Sequence, residues 1–416
     1  MSRMQTLYAM CQAFKETGVL LLIKQGSEYS AQTAADDNGY FLYATLLSSL
    51  FSLDPQIAAN TLFGVLLYVP LFLMGTFFYK LFPTRVSLLV ITLGLVRLSM
   101  PLMDLNHPYI AYFSVFLLIP SVLLFEGDKP SFWFYGVSFL AGLYCSGLDL
   151  MRSFASLPVI VFLFVYVVFR QHAIVKQKAL LIGLFCVGYL VPVTYFSHLV
   201  KIRNNFLINQ NLSIPERDNH VFWHNIYTGL GYLNNSEGIT WSDSCAGEAA
   251  LKINPEAKYP SKLYEQTIRD EIFRLCKEKR YFMATTLFAK LGVIFYYFLI
   301  YFGWIGLLCS YFYPKPWHIE LAFWAALGVS ALPGILTIPV TAYLIGFITC
   351  TIVYGLTFLN EPLYSNSRVS CRSTASKIIK SFFESSFSAI TGEETVFIAT
   401  KPSNDWIFNK AVFEFC

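Results

Sequence analysis

Residues 57–79 carry no charged side chain, and runs of the same kind recur along the chain. A run this long crosses the ~30 Å hydrocarbon core of a bilayer as a helix rising ~1.5 Å per residue. The candidate spans are 57–79, 86–103, 109–125, 131–148, 154–169, 179–199, 284–312, 318–338 and 340–359. The charged fraction agrees, at 13% of 416 residues with 56% hydrophobic, where a soluble domain carries about 25% charged residues. The expected fold class is an all-α polytopic membrane protein with about nine transmembrane helices plus interfacial helices.

The linkers set an orientation. Lys80 and Arg85, then Arg170, Lys176 and Lys178, then Lys315, then Arg368, Arg372, Lys377 and Lys380 all fall on one face if the spans alternate. The other face has DLNHP (104–108) and DLMRS (149–153). Basic loops stay in the cytoplasm, so 1–56 and 200–283 are expected outside and the tail 360–416 inside. The segments are then 1–56, outer interfacial helices with an acidic loop; 57–199, a six-span bundle; 200–283, a large outer loop; 284–359, three spans; and 360–416, a cytoplasmic tail. Residues 4–22 are too polar for a span. Met4, Leu7, Cys11, Phe14, Leu21 and Leu22 recur at helical spacing, which predicts an amphipathic helix in the interface, ended or loosened at Gly18. The run VLLLI (19–23) is too short for a signal peptide.

The net charge of +4 gives no basis for a nucleic-acid partner. Nine cysteines without CxxC and six histidines without HExxH suggest no zinc site or disulfide framework. Cys245 and Cys276 share the outer face, but spacing alone is poor evidence that they pair. Asn211-Leu-Ser213 and Asn234-Asn-Ser236 are glycan acceptors only in a host that glycosylates this face.

Adjacent carboxylates at Asp36 and Asp37 stand out in AQTAADDNGYFLYA (31–44). Such a pair can take a proton from an acceptor hydroxyl or hold a divalent cation, so a cation cofactor stays open. The plainer reading is an N-cap on a helix over 39–52. Arg97 lies inside a span, where a charge marks a functional site by default; it either grips a lipid phosphate, snorkels, or pairs with Asp149. Asp104, Asn106 and His107 form one outer loop, and Asp149 and Arg152 the next. Lys201 and Arg203 break the charge pattern on the outer face, which fits a lipid-linked phosphate or simple headgroup anchoring.

The stretch FWHNIYTGLGYLNNSEGITW (222–241) is rich in rings and amides, with Trp223, His224 and Tyr227 at its start. Rings stack on sugar C–H faces and amides bond hydroxyls; an interfacial aromatic belt is the plainer account. Residues 258–282 predict an amphipathic helix with Leu263, Ile268, Ile272, Leu275 and Phe282 on one side. In the tail, 374–390 is basic and partly amphipathic and TVFIAT (395–400) is strand-like; neither suggests catalysis.

In order of features, the first 310 or so residues resemble a GT-C superfamily glycosyltransferase of the protein mannosyltransferase or aminoarabinose transferase type. The resemblance is carried by YAMCQAFKETG (8–18), NGYFLYATLLSSLF (38–51), AANTLFGVLL (58–67), a span ending YKLFPTR (79–85), GLYCSGLDLMRSFASLP (142–158) and the long outer loop. It implies a bacterial inner (plasma) membrane enzyme of the cell envelope. Such an enzyme moves a sugar from a polyprenyl-phosphate donor to a lipid or glycan acceptor outside. In that family an acidic residue follows the first span and precedes the first interfacial helix. Here that position falls at or before Met1, and the first span is absent. Asp36 and Asp37 then replace the missing acid, with Arg97, Arg152, Lys201 or Arg203 on the leaving phosphate, Asp104, His107 and Asp149 beside them, and Trp223, His224 and Tyr227 around the sugar. The alternatives are an inactive or truncated relative and a lipid or polysaccharide transporter. Against the transporter stand the lack of an inverted repeat and the long outer segment.

Overall fold

The computed structural model describes residues 2–32, 37–124, 132–170, 174–214, 222–259 and 261–364, all within one compact unit. The tail beyond Tyr364, including 374–390 and 395–400, lies outside the described residues, as does Asp36.

Among the described residues, seven helices are long and apolar enough to cross a membrane, so the chain is an all-α membrane protein in its main architecture. They are α3 (Pro55–Leu81), α4 (Arg85–Met103), α7 (Phe132–Met151), α9 (Val175–Asn209), α13 (Arg280–Ile300), α15 (Trp317–Leu336) and α16 (Thr341–Tyr364).

Three expected spans differ. His107–Leu123 is one apolar helical run too short to count among the seven, made of a 3-10 turn at His107–Ile110, α5 (Ala111–Ser114), another turn at Val115–Leu117, and α6 (Leu118–Leu123). Pro120 has no N–H to give to the turn before it, so a regular ladder is interrupted there. Residues 154–169 yield only α8 (Leu157–Phe169), 13 residues long, about 20 Å and short of the bilayer core. Residues 284–312 break after Ile300, because Phe302 takes a left-handed conformation at φ 68° and starts α14 (Gly303–Phe312) on a new axis.

The spans pack where glycine removes a side chain. A Cβ on Gly142 of α7 would lie 2.1 Å from the Phe185 carbonyl oxygen of α9, and one on Gly188 would lie 2.2 Å from that of Phe139. Lipid gives no hydrophobic drive to helix pairing, so close backbone approach supplies the contact. The α16 helix is the most buried span and α9 the least, so one is the hub and the other mostly faces lipid.

Two smaller layers sit at the end of the bundle where α7 and α9 finish. In the first, α1 (Arg3–Thr17) starts with a capping box at Ser2 and stops at Gly18, whose φ of 69° makes the left-handed cap. The expected helix therefore ends before Leu21. Instead β1 (Leu22–Gln25) and β2 (Glu28–Ala31) form an antiparallel hairpin around Gly26. Ala13, Leu22, Ala31 and Leu207 make a small core that ties α1 and the hairpin to the end of α9. Next, α2 (Asn38–Leu50) leads into α3.

In the second layer, α10 (Phe222–Leu230), α11 (Asp243–Ile253) and α12 (Lys262–Glu278) enclose Tyr227, Leu230, Ala246, Tyr264, Ile268, Ile272 and Leu275. The predicted 258–282 helix is thus shorter, with Tyr264 rather than Leu263 inside.

Two outcomes test this packing. Gly142→Leu and Gly188→Leu should each destabilise the protein by about 1–3 kcal/mol or more. Gly183→Ala, in open space, should leave the melting temperature in detergent level or raise it. Second, hydrogen bonds from Lys24 and Tyr29 pull the exposed Glu16 carboxyl down to about 2. A folded value below the unfolded ~4.3 means its support is present above that pH and lost as pH falls toward 2. Hydrogen-exchange protection over 22–31 should drop across that window and stay flat in Glu16→Gln.

Candidate functional site

Gly39 decides where the acidic stretch lies. A Cβ on it would stand 2.5 Å from the Leu150 carbonyl carbon and 2.6 Å from Met151 N, so the start of α2 rests directly on the last turn of α7. Tyr43 continues the seam by donating its hydroxyl to the Gly147 carbonyl at 3.0 Å. Asp37, just before α2, therefore meets Arg152, just after α7.

Asp37 occupies the N-cap position, but its side chain makes no cap bond. Its Oδ1 accepts from Arg152 Nη1 at 3.0 Å and its Oδ2 from Arg3 Nε at 2.6 Å. The expected cap is thus replaced by two ion pairs. The carboxylate is 6% exposed, Arg152 13% and Arg3 41%. Among the described residues two guanidiniums flank this one carboxylate, and the N-terminus of α2 adds positive potential.

The Arg152 guanidinium also lies over the Tyr109 ring, 4.6 Å from its centroid, and donates Nη2 to the Tyr109 hydroxyl at 3.2 Å. Tyr109 meets the Tyr343 ring edge-on at 5.7 Å, and Tyr343 meets Trp241, in the connection between α10 and α11, at 6.1 Å. His107 bonds Asn60 at 2.9 Å and packs on Phe63 and Tyr40. Asp104 is exposed at the end of α4. An apolar cleft of about 380 Å³ between α2, α3 and α7 ends at Met151, the neighbour of Arg152.

Other candidates fall elsewhere. Asp149 accepts from Ser156 N at 2.8 Å, from the Ser156 hydroxyl and from the Tyr189 hydroxyl at 2.8 Å. It fastens the α7–α8 corner to α9 and pairs with neither Arg97 nor Arg152. Arg97 lies over the Tyr301 ring at 4.8 Å, at the break between α13 and α14. Lys201 is exposed on α9. Arg203 is buried and donates to the Gln32 carbonyl at 3.5 Å and to Asn204 Oδ1, holding the hairpin to α9.

His224 and Tyr227 are buried in the α10–α12 layer, with Trp223 half-buried against its core. The Glu265 carboxylate accepts from Trp223 N and His224 N at 2.9 and 3.2 Å, countering the helix N-terminus. His224 Nδ1 bonds the Tyr264 hydroxyl at 2.6 Å and Nε2 bonds Asp243 at 3.0 Å. These rings organise a core rather than a sugar pocket. Cys245 and Cys276 are both free thiols. Among the described residues no three His, Cys, Asp or Glu side chains converge on a metal position, and the guanidiniums at Asp37 oppose a cation there.

Sequence reasoning missed Arg3, Tyr109, Tyr343 and Gly39. It also missed Lys290, buried in α13, which donates to the Ile335 and Thr337 carbonyls at the end of α15. A charge inside a predicted span was the signal for Lys290; the others had none in their local pattern.

No protein-family model, no curated protein and no solved structure matches the chain.

A double-mutant cycle on unfolding should give a coupling of about 1–3 kcal/mol for Asp37 with Arg152. Asp37 with Arg3, the more exposed pair, should give less than about 1 kcal/mol. Equal couplings would contradict the burial argument.

Proposed function

We propose that the chain is a multi-pass membrane glycosyltransferase that takes a sugar from a polyprenyl-phosphate carrier and passes it to an acceptor at the Asp37 end. The observation that carries this reading is the Asp37 carboxylate held between Arg3 and Arg152 where an apolar cleft ends. The cleft suits the first units of a lipid tail, and the arginines suit its phosphate, since guanidinium binds phosphate in a two-pronged way.

In this reading the arriving phosphate draws Arg152 and the more exposed Arg3 away from Asp37. The freed carboxylate oxygen receives the proton of the acceptor hydroxyl. The acceptor oxygen bonds to the anomeric carbon as the bond from that carbon to the phosphate oxygen breaks. The electron pair leaves with the phosphate, and the arginines hold the added charge. The basic ends of the spans favour an Asp37 end outside the cytoplasm, in keeping with a bacterial inner membrane.

A second reading follows from the same pairs. Both Asp37 oxygens are already engaged, so the triad also serves a non-catalytic membrane protein as a tether between α1, α2 and α7.

The test is sugar transfer by the purified protein in liposomes, offered a panel of polyprenyl-phosphate hexoses and pentoses with extracted envelope lipids and glycans as acceptors. Asp37→Asn should lower kcat about 100-fold or more, and Arg152→Lys should lower kcat/KM. A folded Asp37→Asn protein that transfers at the parent rate would sink the catalytic role. A parent protein that transfers nothing from the panel would favour the tether.

A further inference from the structure

At the opposite end of the bundle, a cavity of about 250 Å³ opens between α6, α7, α8 and α9. Its wall includes Phe134, Ala141, Leu163, Val167, Leu181 and Cys186, and no charged side chain lines it. Ser138, the hydroxyl in the wall, gives its proton to the Leu181 carbonyl at 2.8 Å, so the space offers almost nothing to water.

Among the described residues, cations rim this cavity. Arg170, at the end of α8, lies over the Phe134 ring at 5.6 Å, so one ring serves both as cavity wall and as seat for a charge. Lys178 in the first turn of α9 donates to the Val168 carbonyl at 2.7 Å, and Lys176, two residues earlier in the same turn, is exposed. Leu181 follows Lys178 by one helical turn. From Lys178 to Cys186 is about 12 Å of helix, the run of an acyl chain going inward from headgroup depth. The same end gathers Lys315 over Phe82 and Phe358, and Trp317 against Phe169.

We propose that this cavity holds one acyl chain of an anionic phospholipid whose phosphate meets Arg170, Lys176 and Lys178. Charge complementarity selects the lipid: basic pockets between spans favour anionic headgroups, and an apolar lateral cavity in a bilayer favours a hydrocarbon chain. The site is separate from Asp37, because ~16 Å of helix lies between Ala141, the last α7 residue of the cavity wall, and Arg152.

Native mass spectrometry of the full chain in detergent, with added dioleoyl phosphatidylglycerol or dioleoyl phosphatidylcholine, tests the site. Phosphatidylglycerol should stay bound at collision energies that strip phosphatidylcholine. Arg170→Gln with Lys176→Gln should weaken phosphatidylglycerol about fivefold or more while leaving phosphatidylcholine unchanged. Ala141→Phe, which fills the cavity, should abolish retention of both. If that variant does not fold, phosphatidylglycerol carrying a diazirine in its chain should label 134–141, 160–167 or 181–186 of the parent protein. Unlabelled phosphatidylglycerol should compete better than phosphatidylcholine. Equal retention of the two lipids, or labels mapping elsewhere, would overturn the proposal.

Discussion

The contact between Gly39 and the last turn of α7 governs the polar end of this protein. Without a side chain at 39, the start of α2 comes down onto the Leu150–Met151 backbone. That places Asp37 beside Arg152, and α1 packed against α2 brings Arg3 to its other oxygen. Buried ion pairs add little net stability against an apolar alternative, yet removing one partner is costly. The triad is therefore better understood as fixing geometry than as holding the fold together. Packing does that: glycine-mediated crossing of α7 on α9, and α16 as the hub.

The buried charges illustrate one rule under two solutions. Lys290 and Asp149 are satisfied by nearby backbone and hydroxyl groups within the bundle. Asp37 is satisfied only by two cations from distant parts of the chain. The first arrangement leaves little to exchange with a ligand. The second has two guanidiniums on one carboxylate and a partner, Arg3, that reaches solvent. This contrast is why the candidate site is placed at Asp37 and not at Asp149.

Much of the bundle was legible in the sequence. The apolar runs gave α3, α4, α7, α9, α15 and α16, and Gly18 marked the end of α1 because a left-handed cap favours glycine. The failures were physical. A periodic apolar run does not reveal that Phe302 takes a left-handed conformation and splits 284–312. The hairpin at 22–31 is two short strands whose apolar residues continued the helical pattern of α1. At the site, Asp37 does stand at a helix start, as expected, while Asp36 lies outside the described residues. Its partners lie 34 and 115 residues away, a separation no local pattern encodes. The aromatic stretch 222–241 misled in the other direction: His224 and Tyr227 look like a carbohydrate surface, but Tyr264, Asp243 and the α10–α12 core account for them.

The proposed role of the guanidiniums around Asp37 is to receive a lipid-linked phosphate. It is tested most directly by titrating the purified protein with polyprenyl phosphate and with the uncharged polyprenol, with no sugar present. The account predicts saturable binding of the phosphate, much weaker binding of the alcohol, and loss of about tenfold or more in Arg152→Gln. Equal affinity for phosphate and alcohol, or an unchanged affinity in Arg152→Gln, would contradict it.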